Sequence, residues 1–499
     1  MTRPRIALAV VWLAFVVRGA YYSVQLPLWE GLDEWAHFAA LQWFAEHGRM
    51  PARTDAVSDA VVRSLELAPL PWSNNGWVAG AVNHDEYWRL PPQDRLKRVG
   101  ELNRITADYR RAPELTPVTQ HQYEAQQPPL YYALLALPYR LTSGWPIARQ
   151  VIWLRLVGVL LASAAIPLAW GIARRTAAAR LAALAVAAFV TSMPAVLLFV
   201  AHVGNDALAL PLMTLTVWSL VQAKPRWILT GLALAAALLC KGYALVLIPV
   251  VMLAALRHRK LAASLAIALL AAGWWYGENL IATGTLAGDQ MDVASHAGVG
   301  AKLAAIPRVQ WGRVLDSGAM THIWIGGWSF LQVRSWMYRV WEIVAFLGFA
   351  GLVRLGRRAD RLLLAAQVSF VAATALFSVN AFVAMGISAG VGWYGISIAA
   401  AETTLLACGF AGLFGLQRAR IAMAAASLLA LAFDGYTVNF VLAPYYGGLI
   451  RHRPNGSLEA YHWAGFPAVT ALWFAYAAAS IALAWVTTAT ARSSPPARL

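Results

Sequence analysis

The stretch "RIALAVVWLAFVVRGAYYSVQLPLWEGLDEWAHF", residues 5–38, decides the fold class. Its first part, 6–24, is an apolar run long enough to cross a bilayer, for which about 20 residues suffice. The run is basic at its start, as a signal peptide is. No clear small-residue cleavage site precedes Glu30, so it reads as a retained first membrane helix. The chain then leaves the membrane and at once presents Glu30, Asp33, Glu34 and His37. Asp33 is placed to cap a helix whose positions Trp35, Phe38, Leu41, Gln42 and Phe44 fall near one face, and Gly48 and Pro51 end it. Its Trp and Phe content suits a helix lying at the membrane surface.

Working outward, the same apolar signal recurs along the chain. Of 499 residues, 60% are hydrophobic and 13% charged, against about 45–50% apolar and about 25% charged in soluble domains. Apolar runs near 6–26, 151–173, 181–202, 207–223, 227–240, 242–257, 261–281, 340–356, 362–385, 396–416, 421–443 and 467–489 predict an all-α polytopic bundle of about 12 transmembrane helices. Twelve crossings put both termini on one side. The loops there carry Arg3 and Arg5, Arg174, Arg175 and Arg180, Lys224 and Arg226, Arg257, Arg259 and Lys260, Arg357, Arg358 and Arg361, Arg418 and Arg420, and Arg492 and Arg498. Basic loops mark the cytoplasmic side of an inner membrane. They also account for the net charge of +16 without nucleic acid as a partner. Cys240 and Cys408 lie in separate apolar runs and predict free, packed thiols rather than a disulfide or thiolate metal site.

The predicted organisation is a first helix (1–28), a large extracytoplasmic loop with juxtamembrane helices (29–150), helices 2–7 (151–281), a second outer segment (282–339), and helices 8–12 (340–499) with a short outer loop near 444–466. The first loop holds more than half of the 24 acidic residues. Structureless stretches beyond about 15 residues are uncommon and usually functional, so this loop predicts structure and a role. Within it, 130–141 is too short to span and predicts a helix lying flat.

Two stretches of that loop carry chemistry-bearing residues. "DEWAH", 33–37, places Asp33 and His37 one helical turn apart on one face. An N-cap and an acidic first turn explain Asp33 and Glu34 equally well. "HQYEAQQPPLYY", 121–132, sits at the far end of the loop with Tyr123, Glu124, Gln126 and Gln127 ahead of a Pro-Pro helix start. A solvated polar turn is the plain alternative.

Taken together, the two stretches resemble the GT-C superfamily of polyprenyl-phosphate-dependent membrane glycosyltransferases, most of all its protein O-mannosyltransferase and aminoarabinose-transferase branch. That family carries an acidic motif shortly after the first helix and a Pro-Pro-Leu-containing motif opening a juxtamembrane helix. "HVGNDALALPLMTL" (202–215), "LALAAALLCKGYALVLIP" (232–249), "GWWYGENLIATGTLAGD" (273–289) and "WYGISIAAAETTLLACGFAGL" (393–413) match its layout in order. The resemblance implies a GT-C-like fold and transfer of a sugar from a polyprenyl-phosphate carrier to a glycan, glycolipid or protein acceptor at the outer face of the membrane. It implies Asp33 as general base, with Glu34 and Glu124 as further catalytic carboxylates. Under it His37, Tyr123, Gln127, Asp206 and Tyr394 bind substrate. A divalent cation, Mg or Mn, is optional in the family and would be held by Asp33 and Glu34, carboxylates being the hard ligands it prefers.

One departure stands out. Many relatives have Gly-Arg-Tyr where this chain has Gly392-Trp393-Tyr394, and that arginine meets the phosphate. Lys241, Arg334 and Arg339 are the expected substitutes; the alternatives for them are snorkelling to the interface for Lys241 and aromatic-belt anchoring for the two arginines. Glu402 and Asp434, inside predicted spans, are candidates as intramembrane acids, as are Glu278 and Asn279 at an outer helix end. Two other function classes stay open: a multi-pass transporter or flippase, which would bind near the bilayer midplane, and a non-catalytic GT-C relative, favoured by Trp393.

Overall fold

Each of the apolar runs is helical in the computed structural model, which describes residues 3–71, 78, 80–110, 122–288, 297–355, 360–453 and 469–492. Eight helices are long and apolar enough to cross a membrane: Pro4–Gln25, Ile147–Arg175, Arg259–Thr283, Ser335–Leu355, Arg361–Met385, Gly392–Phe414, Leu416–Tyr446 and Val469–Arg492. A ninth span is a pair, Arg180–Ser192 and Pro194–Val200, bent by 57°. Met193 lies at the break in an extended conformation, the backbone a residue before proline is driven to. The chain is thus a multi-pass, all-α membrane protein.

Of the twelve spans expected, eight, or nine with the bent pair, have the length and apolarity of a crossing among the described residues. Asp206–Leu220, Trp227–Leu238 and Gly242–Ala255 are helical but only 10–17 residues long. At about 1.5 Å per residue they fall short of a hydrocarbon core of about 30 Å. Polar groups, Asn205, Asp206 and Lys241, cut these runs short at one end. His121, Asp289, Arg357, Arg358, Arg498 and much of the expected outer loop near 444–466 lie outside the described residues.

Glycine decides how closely two of the long helices approach. A Cβ on Gly351 would overlap the Gly409 carbonyl oxygen, and one on Gly409 would overlap that of Gly348. Small residues at such crossings let backbones touch where lipid offers no hydrophobic drive.

The first helix is held by an ion pair with no solvent access. Arg18 lies 2.6 Å from Asp434, and both side chains are fully buried. Arg18 also donates to the Thr191 carbonyl (2.6 Å), while Tyr22 (2.6 Å) and Tyr476 donate to Asp434. One cluster therefore ties the first helix to the bent span, to Leu416–Tyr446 and to Val469–Arg492.

The large loop after the first helix is structured. Helices Glu34–His47, Asp59–Leu67, His84–Arg89, Pro92–Leu102 and Leu130–Arg140 follow one another, with a two-residue parallel pairing of Pro69–Leu70 and Val82–Asn83. Helix Leu130–Arg140 packs on Glu34–His47 and opens directly after Pro129. Glu34–His47 is not the half-exposed surface helix its pattern suggests, since 11 of its 14 residues are buried. Its polar Gln42 is satisfied inside, donating to the Ala107 carbonyl (2.9 Å) and accepting from Ser58 Oγ (2.7 Å). Cys240 and Cys408 are free and buried.

Replacing Arg18 by Met leaves Asp434 buried without its cation, which costs about 3–5 kcal/mol. The double variant Arg18→Met/Asp434→Leu removes both charges and should recover most of that loss. Thermal unfolding in detergent checks this, and an equal loss in both variants would show the pair is not the source.

Candidate functional site

The site begins with a clamp at the end of the first helix. Arg155, on the span Ile147–Arg175, is fully buried and reaches Glu34 with two bonds, Nε to Oε1 (2.7 Å) and Nη2 to Oε2 (2.6 Å). The same guanidinium donates to the carbonyls of Ser23 (3.1 Å), Leu26 (2.6 Å) and Pro27 (2.7 Å). A helix ends with carbonyls that lack intrahelical donors, and Arg155 supplies them. Glu34 Oε1 also accepts from the Val203 backbone N–H (2.8 Å). Both oxygens of the carboxylate are thereby bonded within the protein.

With the chain so fixed, Asp33 turns. It has φ 55° and ψ 18°, in the left-handed region, and its side chain makes no capping bond to the helix that follows. Such backbone costs about 1–3 kcal/mol outside glycine, though Asp tolerates it better than most. The capping role is therefore excluded, and Asp33 lines a cavity of about 470 Å³.

That cavity gathers most of the expected site. Asp33, His37, Glu124, Gln127, Asp206, Lys241 and Tyr394 all line it, though they come from residues 33 to 394 of the chain. Glu124 arrives from the far end of the loop, and Gln126 donates to its Oε2 (3.2 Å). Gln127 is oriented by Asn205, whose Nδ2 donates to its Oε1 (2.8 Å) and to the Cys240 carbonyl (3.0 Å). Lys241 Nζ sits 2.5 Å from Asp206 Oδ2 and 4.9 Å from the centre of the Tyr243 ring, whose hydroxyl donates to Asp206. Aromatic rings wall the rest, among them Trp275, Trp328, Phe330 and Trp393. A volume of this size suits a small ligand or a lipid head.

Burial sets the protonation of the loop residues. It pushes the Glu124 carboxyl up to about 7, against a bond to Gln127 and the Lys241 charge, which pull it down. Burial, then Lys241, hold His37 well below the usual histidine range, so it is neutral, with Nδ1 2.7 Å from the Tyr132 hydroxyl. Burial likewise lowers His202.

Other expected residues fall elsewhere. Arg339 is exposed, pairs with Glu342 (2.6 Å) and Asp316 (3.4 Å), and does not line this cavity. Arg334 is exposed and does not line it, and neither does half-buried Tyr123. Asn279 lines it and Glu278 does not. Asp434 is spent on Arg18. Among the described residues no group of three or more His, Cys, Asp or Glu is arranged to hold a metal ion. Sequence reasoning passed over Arg18 and Arg155, although an arginine inside an apolar run was the signal. It also passed over the wider role of Glu30, whose carboxylate accepts from Ser329 (2.5 Å) and Tyr446 (2.8 Å) and lies 3.0 Å from His84 Nε2. Glu30 thus joins the first loop to the second outer segment and to the end of Leu416–Tyr446.

A family model described as "Predicted membrane protein (DUF2142)" matches residues 16–396. No curated protein matches the chain. Among solved structures, it is similar to ArnT of Cupriavidus metallidurans bound to undecaprenyl phosphate, at 12% identity and a TM-score of 0.46, over 98% of this chain and 77% of that one. It is also similar to the oligosaccharyltransferase of Archaeoglobus fulgidus in complex with zinc and sulfate, at 12% identity and a TM-score of 0.41, over 84% of this chain and 53% of that one. At such scores these likenesses decide neither fold nor function.

Glu124 gives the site a pH signature. From its ordinary value of 4.5 up to about 7, the folded protein keeps a proton that the unfolded chain has released. Stability therefore falls as pH rises through that window and levels off above it. Glu124→Gln should flatten this slope, as read by thermal unfolding across the window; an unchanged slope would assign it to another group.

Proposed function

The chain belongs to the DUF2142 family of membrane proteins, and we propose that it is a GT-C-type glycosyltransferase that moves a sugar from a polyprenyl-phosphate carrier to an acceptor hydroxyl or amine. The observation that carries this reading is the cavity itself. Carboxylates from the two ends of the long first loop, Asp33 and Glu124, meet there with a buried lysine and an aromatic wall. A base, a cation for a leaving phosphate and ring faces for a sugar are the parts such a transfer needs.

In this reading Asp33 accepts the proton of the acceptor O–H or N–H as that atom attacks the anomeric carbon. The bond from that carbon to the phosphate oxygen breaks, its electron pair stays with the phosphate, and Lys241 offsets the growing charge. Lys241 takes the place of the arginine that Trp393 replaces. With Asp33, Glu124 and Asp206 all ionised, the cavity carries more negative than positive charge. Phosphate binding is therefore favoured where Glu124 holds its proton, below about 7. Asp206 and Tyr243 hold Lys241 in place until the phosphate shares it.

The same reading sets the cavity on the outer face of an inner membrane with both termini in the cytoplasm. It takes each of the three short helices, together with the residues that flank it, as a crossing. Its support is the charge pattern: Lys224 with Arg226 and Arg257 with Arg259 and Lys260 lie in the loops at the opposite helix ends from Asp206 and Lys241.

Asp33→Asn should lower transfer from a polyprenyl-phosphate sugar by about 10²–10⁴-fold while leaving binding of the polyprenyl phosphate intact. Lys241→Ala should weaken that binding by about 10–100-fold, the loss of one bond to a charged group. Transfer by Asp33→Asn at the unmodified rate would overturn the assignment, and binding without any product across acceptors would instead mark a non-catalytic lipid-phosphate binder.

A further inference from the structure

A second cavity, of about 300 Å³, shares no lining residue with the first and is walled mostly by apolar side chains, with His322 and Glu402 among its few polar ones. The first cavity is richer, and one part of its wall differs in origin from the rest. Trp275 lies on the span Arg259–Thr283 and Trp393 on the short helix Gly392–Ile398, so each ring is placed by its own helix. Trp328 and Phe330 come instead from a turn in the second outer segment, "GGWSFL", residues 326–331. Their rings meet edge to face, with centres 5.8 Å apart and planes at 83°.

A turn has no helical ladder to hold it, and this one is pinned from outside. The Gly326 N–H donates to the Leu331 carbonyl (2.9 Å) and closes the turn on itself. The Trp328 N–H then donates to the Glu30 carbonyl (2.7 Å), and Ser329, between the two rings, donates from its hydroxyl to Glu30 Oε1 (2.5 Å). A Cβ on Gly327 would sit 1.9 Å from the Glu30 carbonyl oxygen, so the turn lies directly on that backbone. Glu30 is itself fully buried, with Tyr446 donating to Oε1 (2.8 Å) and His84 Nε2 3.0 Å from Oε2.

Phe330 carries the strain of this arrangement. Its φ of 47° lies in the left-handed region, where a bulky side chain is seldom found. Such backbone persists where the surroundings over-determine it, and it gathers at ligand clamps. Here the strained residue is one of the two that line the cavity. Glu30 precedes Asp33 by three residues, on the stretch whose Leu26 and Pro27 carbonyls and Glu34 carboxylate Arg155 holds. One clamped stretch therefore sets both Asp33 and the ring pair. The amides of Gln126, Gln127 and Asn279 line the same cavity. Amides for hydroxyls beside an apolar ring face suit a sugar, whereas a hydrocarbon chain has no use for the amides.

We propose that Glu30 is a positioning residue for the transfer: it locks the turn 326–331 so that Trp328 and Phe330 form the face on which the sugar of the lipid-linked donor rests. Glu30 touches no substrate and acts only through the turn. This rests on the transferase reading. Failure of that reading shows in the unmodified protein, and failure of the role of Glu30 shows only in the variants.

The test uses the full-length protein in nanodiscs and compares binding of undecaprenyl phosphate alone with that of undecaprenyl phosphate carrying glucose, galactose, mannose or arabinose. The unmodified protein should bind one of the sugar-bearing donors more tightly than the bare carrier. If it favours none of them, the transferase reading falls and this role with it. Trp328→Leu should remove that margin, about 2–10-fold for one aromatic contact. Glu30→Ala should remove the same margin and slow transfer about 10²-fold, as a misplaced reactant does, while the affinity for the bare carrier stays unchanged. Glu30→Gln keeps an acceptor for Ser329 and Tyr446 and should restore both margin and rate. In Glu30→Ala/Trp328→Leu the losses should not add, because the first acts through the second. Glu30→Ala also strips buried partners, so thermal unfolding accompanies it. Ser329→Ala, which cuts only the side-chain tie of the turn, should reduce the margin in a protein of unchanged stability. Bare-carrier binding lost in step with donor binding, additive losses in the double variant, or a full margin in Ser329→Ala would overturn the role.

Discussion

Arg155 holds the structure's decisive junction. A guanidinium in an apolar interior costs at least about 2.5–3.5 kcal/mol unless its donors are met. Here they are met by a carboxylate and three backbone carbonyls, all within 3.1 Å. Those acceptors are the frayed end of one helix and the first residue of the next. The clamp therefore fixes the angle at which the chain leaves its first span. Everything that follows in the large loop is hung from that angle, including the left-handed turn that takes Asp33 away from its own helix and towards the cavity.

Neighbouring residues in "DEWAH" thus divide their labour. Glu34 is spent on architecture, Asp33 on the cavity, and His37 is kept neutral by burial against Tyr132. Glu30, four residues upstream, does for the outer segments what Glu34 does for the spans, joining Ser329, Tyr446 and His84. Two buried acids thus brace the frame on which the third is presented.

The short 3-10 helix Gly392–Ile398 touches both cavities. Trp393 and Tyr394 face one of them, while the Gly392 carbonyl is bonded to the His322 that lines the other. Glycine is required here, since a Cβ on Gly392 would overlap the Gly318 carbonyl.

The sequence by itself determined the class of the molecule. Apolar runs and basic loops specify an all-helical, multi-pass protein, because a backbone in lipid must satisfy its own hydrogen bonds. It also nominated Asp33, Glu124, Asp206 and Lys241, since polar groups at helix ends in such a chain are few. It did not separate the short helices from the long ones, because hydropathy registers an apolar run of 12 residues and one of 24 alike. It could not tell which of Asp33 and Glu34 serves a site, because an N-cap and an acidic first turn explain the pair as well. Only the tertiary structure decided that, by setting Arg155, more than a hundred positions away in the chain, against one carboxylate and leaving the other to turn aside. Which of two adjacent charges is buried in a pair depends on a partner that local sequence does not contain.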